Sequence, residues 1–154
     1  MSLETVTIQI TIGPECYRQQ QYVYVWLDEN GPIYVGETAQ SPADRTGLHI
    51  RAPHRSGAIV AQQIQLSPRQ KCTVVAFVVG DDLLREISNK YSGAGSSAGL
   101  KRARLAIERS LYEALAPDYP RIQAARGCKW QAPEAKPFID AVKSHLADLE
   151  HRRV

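Results

Sequence analysis

Two tyrosine-bearing stretches separated by a single turn constrain this chain more than any other feature. Tyr22-Val23-Tyr24-Val25-Trp26-Leu27 consists almost wholly of β-branched and aromatic residues, and Ile33-Tyr34-Val35-Gly36 follows it. Side chains of this kind pack well on a pleated, half-buried surface, so both stretches read as strands. Between them lies Asp28-Glu29-Asn30-Gly31-Pro32, a segment dense in turn formers. The expectation is an antiparallel hairpin with Asn30-Gly31 at its tip. A lone hairpin is marginal in water, so the rest of the chain has to cover it.

The other segments supply that cover. Residues 5–12 alternate apolar and polar, with Val6, Ile8, Ile10 and Ile12 on one side, and predict a half-buried strand. Ser41-Pro42 places an N-cap residue before a first-turn proline and starts a helix that Gly47 and Pro53 interrupt. Residues 57–66 form a short helical candidate. Residues 72–79 are nearly continuously apolar, as in a central strand covered on both faces. Residues 92–99 form a loop of small residues. Leu100, Ala103, Ile107, Leu111 and Ala114 then repeat at helical steps until Pro117. Phe138, Ile139, Val142, Leu146 and Leu149 give a second amphipathic helix. The predicted fold class is α+β: one domain over 1–154, a small mostly antiparallel sheet flanked by helices, with an extra N-terminal strand and a C-terminal helix.

At 154 residues, 44 % hydrophobic and 23 % charged, the chain is long and apolar enough for a core without staples. No apolar run approaches the ~18 residues of a membrane span. Met1-Ser2-Leu3-Glu4 lacks the basic and apolar regions of a secretory signal, and Cys16, Cys72 and Cys128 are far apart and odd in number. The expectation is a reduced, cytoplasmic protein. Net charge is only +3, but its distribution is uneven. Arg45, His49, Arg51, His54 and Arg55 face one acid, Asp44, between residues 38 and 55, and Arg121, Arg126 and Lys129 follow later, beside Trp130. A solvated basic face and a phosphate-binding face both fit this pattern. Trp130 is read mainly as an anchor for the C-terminal segment, with base stacking as the other use.

The spacing of particular residues goes further. Tyr24 and Tyr34 are ten positions apart on successive strands, and Gly36 follows the second. Arg45 stands about ten residues after Tyr34, with His49 one helical turn beyond it on the same face. Glu108, Leu111, Tyr112 and Pro117 follow on the strongest helix. In this combination the chain resembles the GIY-YIG nuclease family, whose hairpin carries G-I-Y and Y-I-G and whose later helix carries a metal-binding Glu. The resemblance spans roughly residues 22–119 and leaves 120–154 as an extension. Tyr22 replaces the first glycine, no Asn follows Pro117, and the segment between residue 79 and Glu108 is long for the family.

The resemblance implies a metal-dependent endonuclease of restriction or repair type, acting on DNA, as a monomer or homodimer, with Mg²⁺ (or Mn²⁺) held by Glu108. It implies catalytic roles for Tyr24, Tyr34, Arg45, His49 and Glu108. Arg51, His54 and Arg55, from the basic cluster, are read as nucleic-acid contacts, with a solvated surface as the equal alternative for His54 and Arg55. These residue types suit phosphodiester hydrolysis. A carboxylate holds a hard cation whose other ligands are water and phosphate oxygen. An arginine offers a fork of donors to phosphate. Tyr24 is favoured as general base, with Tyr34 and His49 orienting water and phosphate, and the tyrosine roles are interchangeable. A tyrosine serves this way when its pKa falls from about 10 towards neutral, about 4 kcal/mol of preferential phenolate stabilisation. Glu37, directly after Gly36, is a second carboxylate beside the site. For Glu108 the plainer reading is an i,i+4 ion pair with Arg104 on the helix surface. Two plainer functions compete: a non-catalytic nucleic-acid-binding module, and a protein–protein adaptor whose tyrosines only pack.

Overall fold

A computed structural model describes residues 13–51, 71–91, 96–124 and 130–152. After a 3₁₀ turn at Pro14–Tyr17 come β1 (Tyr22–Asp28), β2 (Gly31–Thr38), α1 (Pro42–Ile50), β3 (Thr73–Val78), α2 (Asp81–Tyr91), α3 (Ser97–Leu115), β4 (Gln123–Ala124), a 3₁₀ turn at Pro133–Ala135 and α4 (Lys136–Arg152). The described strands form one sheet in the order β3-β1-β2-β4. β1 is antiparallel to β2 and β3, and the two-residue β4 is parallel to β2. The fold is α+β, with a mixed, mostly antiparallel sheet and four helices among the described residues.

The hairpin forms where the residue types require it. Asn30 N–H donates to Asp28 Oδ1 at 2.8 Å, and Gly31 adopts φ 112°, a conformation that disfavours any side chain with a Cβ. Trp26 pairs with Tyr34, but Leu27 pairs with Pro32, so Ile33 is an extra residue in β2. The bulge has a consequence for the faces. It lets Ile33 and Tyr34, though adjacent, join the same cluster with Tyr24 and Trp26. Val23, Val25, Leu27 and Val35 point the other way, into the main core with Ile107, Leu111, Val142 and Leu146 of α3 and α4. Ser41 caps α1 by accepting Asp44 N–H at 3.2 Å, with Pro42 in its first turn. Ser96 caps α3 by accepting Gly99 N–H at 3.0 Å.

Two expectations change. Residues 72–79 were expected to form a central strand, yet β3 bonds only to β1 among the described strands, and Thr73 and Val78 are exposed. Its apolar run has another cause: Val75 and Phe77 pack on the helix-side core, while Cys72, Val74 and Ala76 pack on the aromatic cluster. Each face is partly covered, so neither alternate set is polar. The long connection before α3 also contains a helix that the sequence reading lacked. In α2, Asp81 and Asp82 stand in the first turn, where the helix dipole favours them, and Leu84 and Ile87 are buried. The expected strand over 5–12, the helical candidate over 57–66 and residues 92–95 of the small-residue loop lie outside the described residues; residues 97–99, also expected in that loop, instead form the first turn of α3, capped by Ser96. No described helix is long and apolar enough to cross a membrane.

The C-terminal elements are tied back to the hairpin. Arg121 donates to both carboxylate oxygens of Asp28, at 3.0 and 2.9 Å, beside the hairpin tip. Trp130 stacks edge-on against Tyr91, with ring centroids 4.8 Å apart, and Arg102 lies 5.7 Å from its ring centre. These contacts favour the anchoring reading of Trp130.

Candidate active site

The second face of the hairpin is aromatic but not inert. Tyr24, on β1, lies opposite Gly36 on β2. A methyl group at Gly36 would overlap Tyr24 Cζ and Oη, so the glycine is what lets the phenol lie across the neighbouring strand. Tyr34, two pairs along the hairpin and opposite Trp26, stacks with Tyr24 at 6.3 Å between centroids and 30° between planes. Helix α1 covers the pair. His49, from its last turn, is fully buried and meets Tyr24 and Tyr34 edge-on at 5.4 Å each and Trp26 at 5.9 Å.

The polar contacts converge on one atom. Tyr24 Oη lies 2.5 Å from His49 Nε2, and Arg45 Nε donates to the same oxygen at 3.1 Å. Arg45 and His49 reach it together because four residues make about one helical turn. Among the described residues, His49 Nδ1 and Trp26 Nε1 are buried without a hydrogen-bond partner.

Charge behaves here as burial dictates. Burial is the largest influence on Tyr24 and raises its pKa to about 12. Arg45 opposes the rise, while the nearby negative charges of Glu108 and Glu37 add to it. Burial, then Tyr24, then Glu108 raise the Tyr34 pKa as well. Burial first and Arg45 second lower that of His49 to about 4. At neutral pH both phenols are protonated and the imidazole is neutral. This runs opposite to the lowered tyrosine pKa that the sequence reading required, because desolvation outweighs one arginine.

Glu108, on α3, is only 2 % exposed, and its charge is felt by both tyrosines. Glu37 is engaged from α3 as well: Arg104 Nε donates to its Oε2 at 2.6 Å, and a terminal nitrogen of Arg104 donates to Gln21 Oε1. Arg104 therefore reaches across to the hairpin, beyond the surface pair with Glu108 that its spacing suggested. Arg104 joins the site unannounced by the sequence, because its partner is 67 residues away and no local pattern marks such a pair.

Of the expected DNA-contacting residues, Arg51 ends α1, half-buried, with its Nε unpartnered. His54 and Arg55 lie outside the described residues, as do Arg126 and Lys129. Among the described residues no three His, Cys, Asp or Glu side chains cluster as a ready-made metal cage. The local carboxylates are Glu108 and Glu37. That set fits a hard cation such as Mg²⁺ or Mn²⁺, which keeps much of its shell as water and substrate oxygen, better than it fits zinc.

No family model, curated protein or solved structure matches this chain.

Proposed function

We propose that this chain is a metal-dependent DNA endonuclease with a GIY-YIG-like active site. One observation carries the reading: a buried tyrosine hydroxyl on a hairpin is held between an arginine and a histidine from one helix, beside a glutamate from another. A packing tyrosine needs one hydrogen-bond partner. Gathering a cation, an imidazole and a carboxylate around a phenol costs desolvation that packing alone does not return.

The roles follow from the residue chemistry. Arg45 commits its Nε to Tyr24, and its two terminal nitrogens have no hydrogen-bond partner among the described residues. They form a fork suited to the scissile phosphate. Glu108 would hold Mg²⁺ or Mn²⁺, with Glu37 near. A bound cation there would act as Lewis acid and stabilise charge on the leaving oxygen. Tyr24, with one oxygen lone pair left after its contacts, accepts a hydrogen bond from the attacking water and orients it. Tyr34 and Trp26 wall the cluster and lower its dielectric, which strengthens each of these interactions.

The test is nicking of supercoiled plasmid with Mg²⁺ or Mn²⁺ and with EDTA, beside Glu108→Gln, whose shape is conserved. Expected are metal-dependent cutting and its loss by at least about 10²-fold in the folded variant. A second reading, a non-catalytic nucleic-acid-binding module, has one observation in its favour: both phenols are protonated, so the resting site holds no ionised base. That module would retain DNA in EDTA, with affinity falling steeply as salt rises, and would cut nothing.

A further inference from the structure

The hydrogen atoms of the Tyr24–His49 contact can be assigned by counting donors and acceptors. Arg45 Nε–H is a donor only, so Tyr24 Oη accepts from it. Two arrangements remain for the 2.5 Å contact with His49 Nε2. If His49 carries its proton on Nε2 and donates, the Tyr24 O–H has no acceptor among the described residues, because its hydroxyl oxygen there contacts only Arg45 and His49, and Nδ1 is a bare buried acceptor. That leaves two unsatisfied groups. If Tyr24 donates to Nε2, the imidazole proton sits on Nδ1, and only that N–H lacks a partner. Each buried orphan costs about 1–3 kcal/mol, so the second arrangement prevails.

We infer that the Tyr24 hydroxyl donates to His49 Nε2 in the Nδ1–H tautomer, and that the two residues form a proton relay with His49 as terminal acceptor. This rests on the nuclease reading and gives His49 a part beyond orienting water or phosphate. Tyr24 Oη donates to His49, accepts from Arg45, and keeps one lone pair for the attacking water. In the reaction, a water O–H bond breaks and its proton goes to that lone pair. The Tyr24 O–H bond breaks in turn, and its proton forms an N–H bond at His49 Nε2. The water oxygen bonds to phosphorus as the bond from phosphorus to the leaving sugar oxygen breaks. That oxygen takes a proton from solvent, and His49 later returns its own. No free phenolate forms. The charged and titratable groups around the relay are Arg45 on α1, Tyr34 and Glu37 on β2, and Glu108 on α3.

The first arm of the test needs no activity. The full chain, labelled with ¹⁵N-histidine, is examined at pH 7 by long-range ¹H–¹⁵N correlation, with His49 identified among the four histidines by its loss in His49→Gln. Expected is the Nδ1–H tautomer, shifting towards Nε2–H in Tyr24→Phe. An Nε2–H tautomer in the wild type overturns the inference. The second arm is single-turnover plasmid cleavage. His49→Gln should lose about 10²–10³-fold while retaining DNA as the wild type does. A loss under about 10-fold overturns the relay. A wild type that cuts nothing overturns the nuclease reading and the relay with it, whereas the tautomer result still decides the hydrogen bond.

Discussion

The two faces of the central hairpin are equally buried and chemically opposite. Val23, Val25, Leu27 and Val35 meet α3 and α4 with no polar side-chain atom among them. Tyr24, Trp26 and Tyr34, with His49 over them, are as inaccessible, yet their face holds a hydroxyl shared by two partners and two N–H-bearing rings left incomplete. Burial therefore does not separate core from site in this molecule. What separates them is polar content that burial penalises and that the fold nonetheless retains. Function should fail on one face without the fold failing, and the fold on the other without the chemistry changing.

The largest expected effect comes where α3 reaches the hairpin. Arg104→Met strands the Glu37 carboxylate, whose side chain is 13 % exposed, and should destabilise the protein by about 3–5 kcal/mol in urea unfolding. Restoring neutrality with Glu37→Gln in the same chain should recover part of that loss. Next comes the apolar face. Leu111→Ala should cost about 2–5 kcal/mol, with cleavage per folded molecule unchanged. If cleavage fell as much as stability, the two faces would not be separable.

On the aromatic face the expected stability loss is smaller and the functional loss larger. Gly36→Ala forces Tyr24 away from its position by overlap with Cζ and Oη, at about 1–3 kcal/mol of overpacking. Cleavage should drop with it, since the displaced hydroxyl leaves Arg45 and His49. Acid should also act through this face. The unfolded chain protonates His49 near 6.5, but the folded protein resists until about 4, so its contribution to stability is complete above 6.5 and is lost as pH falls towards 4. The slope is at most about 1.4 kcal/mol per pH unit, and subtracting the His49→Gln curve between pH 6.5 and 5 isolates it from the carboxylates.

Local patterns made much of this molecule legible. The hairpin follows from β-branched runs and Asn30-Gly31, α1 from Ser41-Pro42, and α3 from the stripe around Ile107 and Leu111. The approach of Arg45 and His49 to Tyr24 was legible through helical spacing and the resemblance together. Features set by distant partners were not. The Arg104–Glu37 pair joins residues 67 apart. The outer position of β3 among the described strands depends on strand order, which its apolar run does not encode. Helix α2 was missed because its buried stripe is short, resting on Leu84 and Ile87. The direction of the Tyr24 shift was misjudged because sequence names the nearby charges but not the depth at which they act.

The smallest expected effect sharpens the comparison. Lys136 Nζ lies 2.6 Å from Asp140 Oδ2, the same separation as Arg104 Nε from Glu37 Oε2. Distance alone would make the pairs equivalent. Their surroundings differ: the α4 side chains are 76 % and 58 % exposed, against 8 % and 13 % for the α3–β2 pair. Water and salt screen the first, and holding two mobile side chains together offsets part of the attraction. Asp140→Asn should therefore change stability by no more than about 0.5 kcal/mol and less at high salt. Arg104→Met should keep most of its effect at the same salt concentration, because its cost lies in the stranded carboxylate rather than in the lost attraction. Equal losses from the two substitutions would mean that α3 meets the hairpin in a wetter environment than Arg104 and Glu37 indicate, and that the two regions share one electrostatic setting.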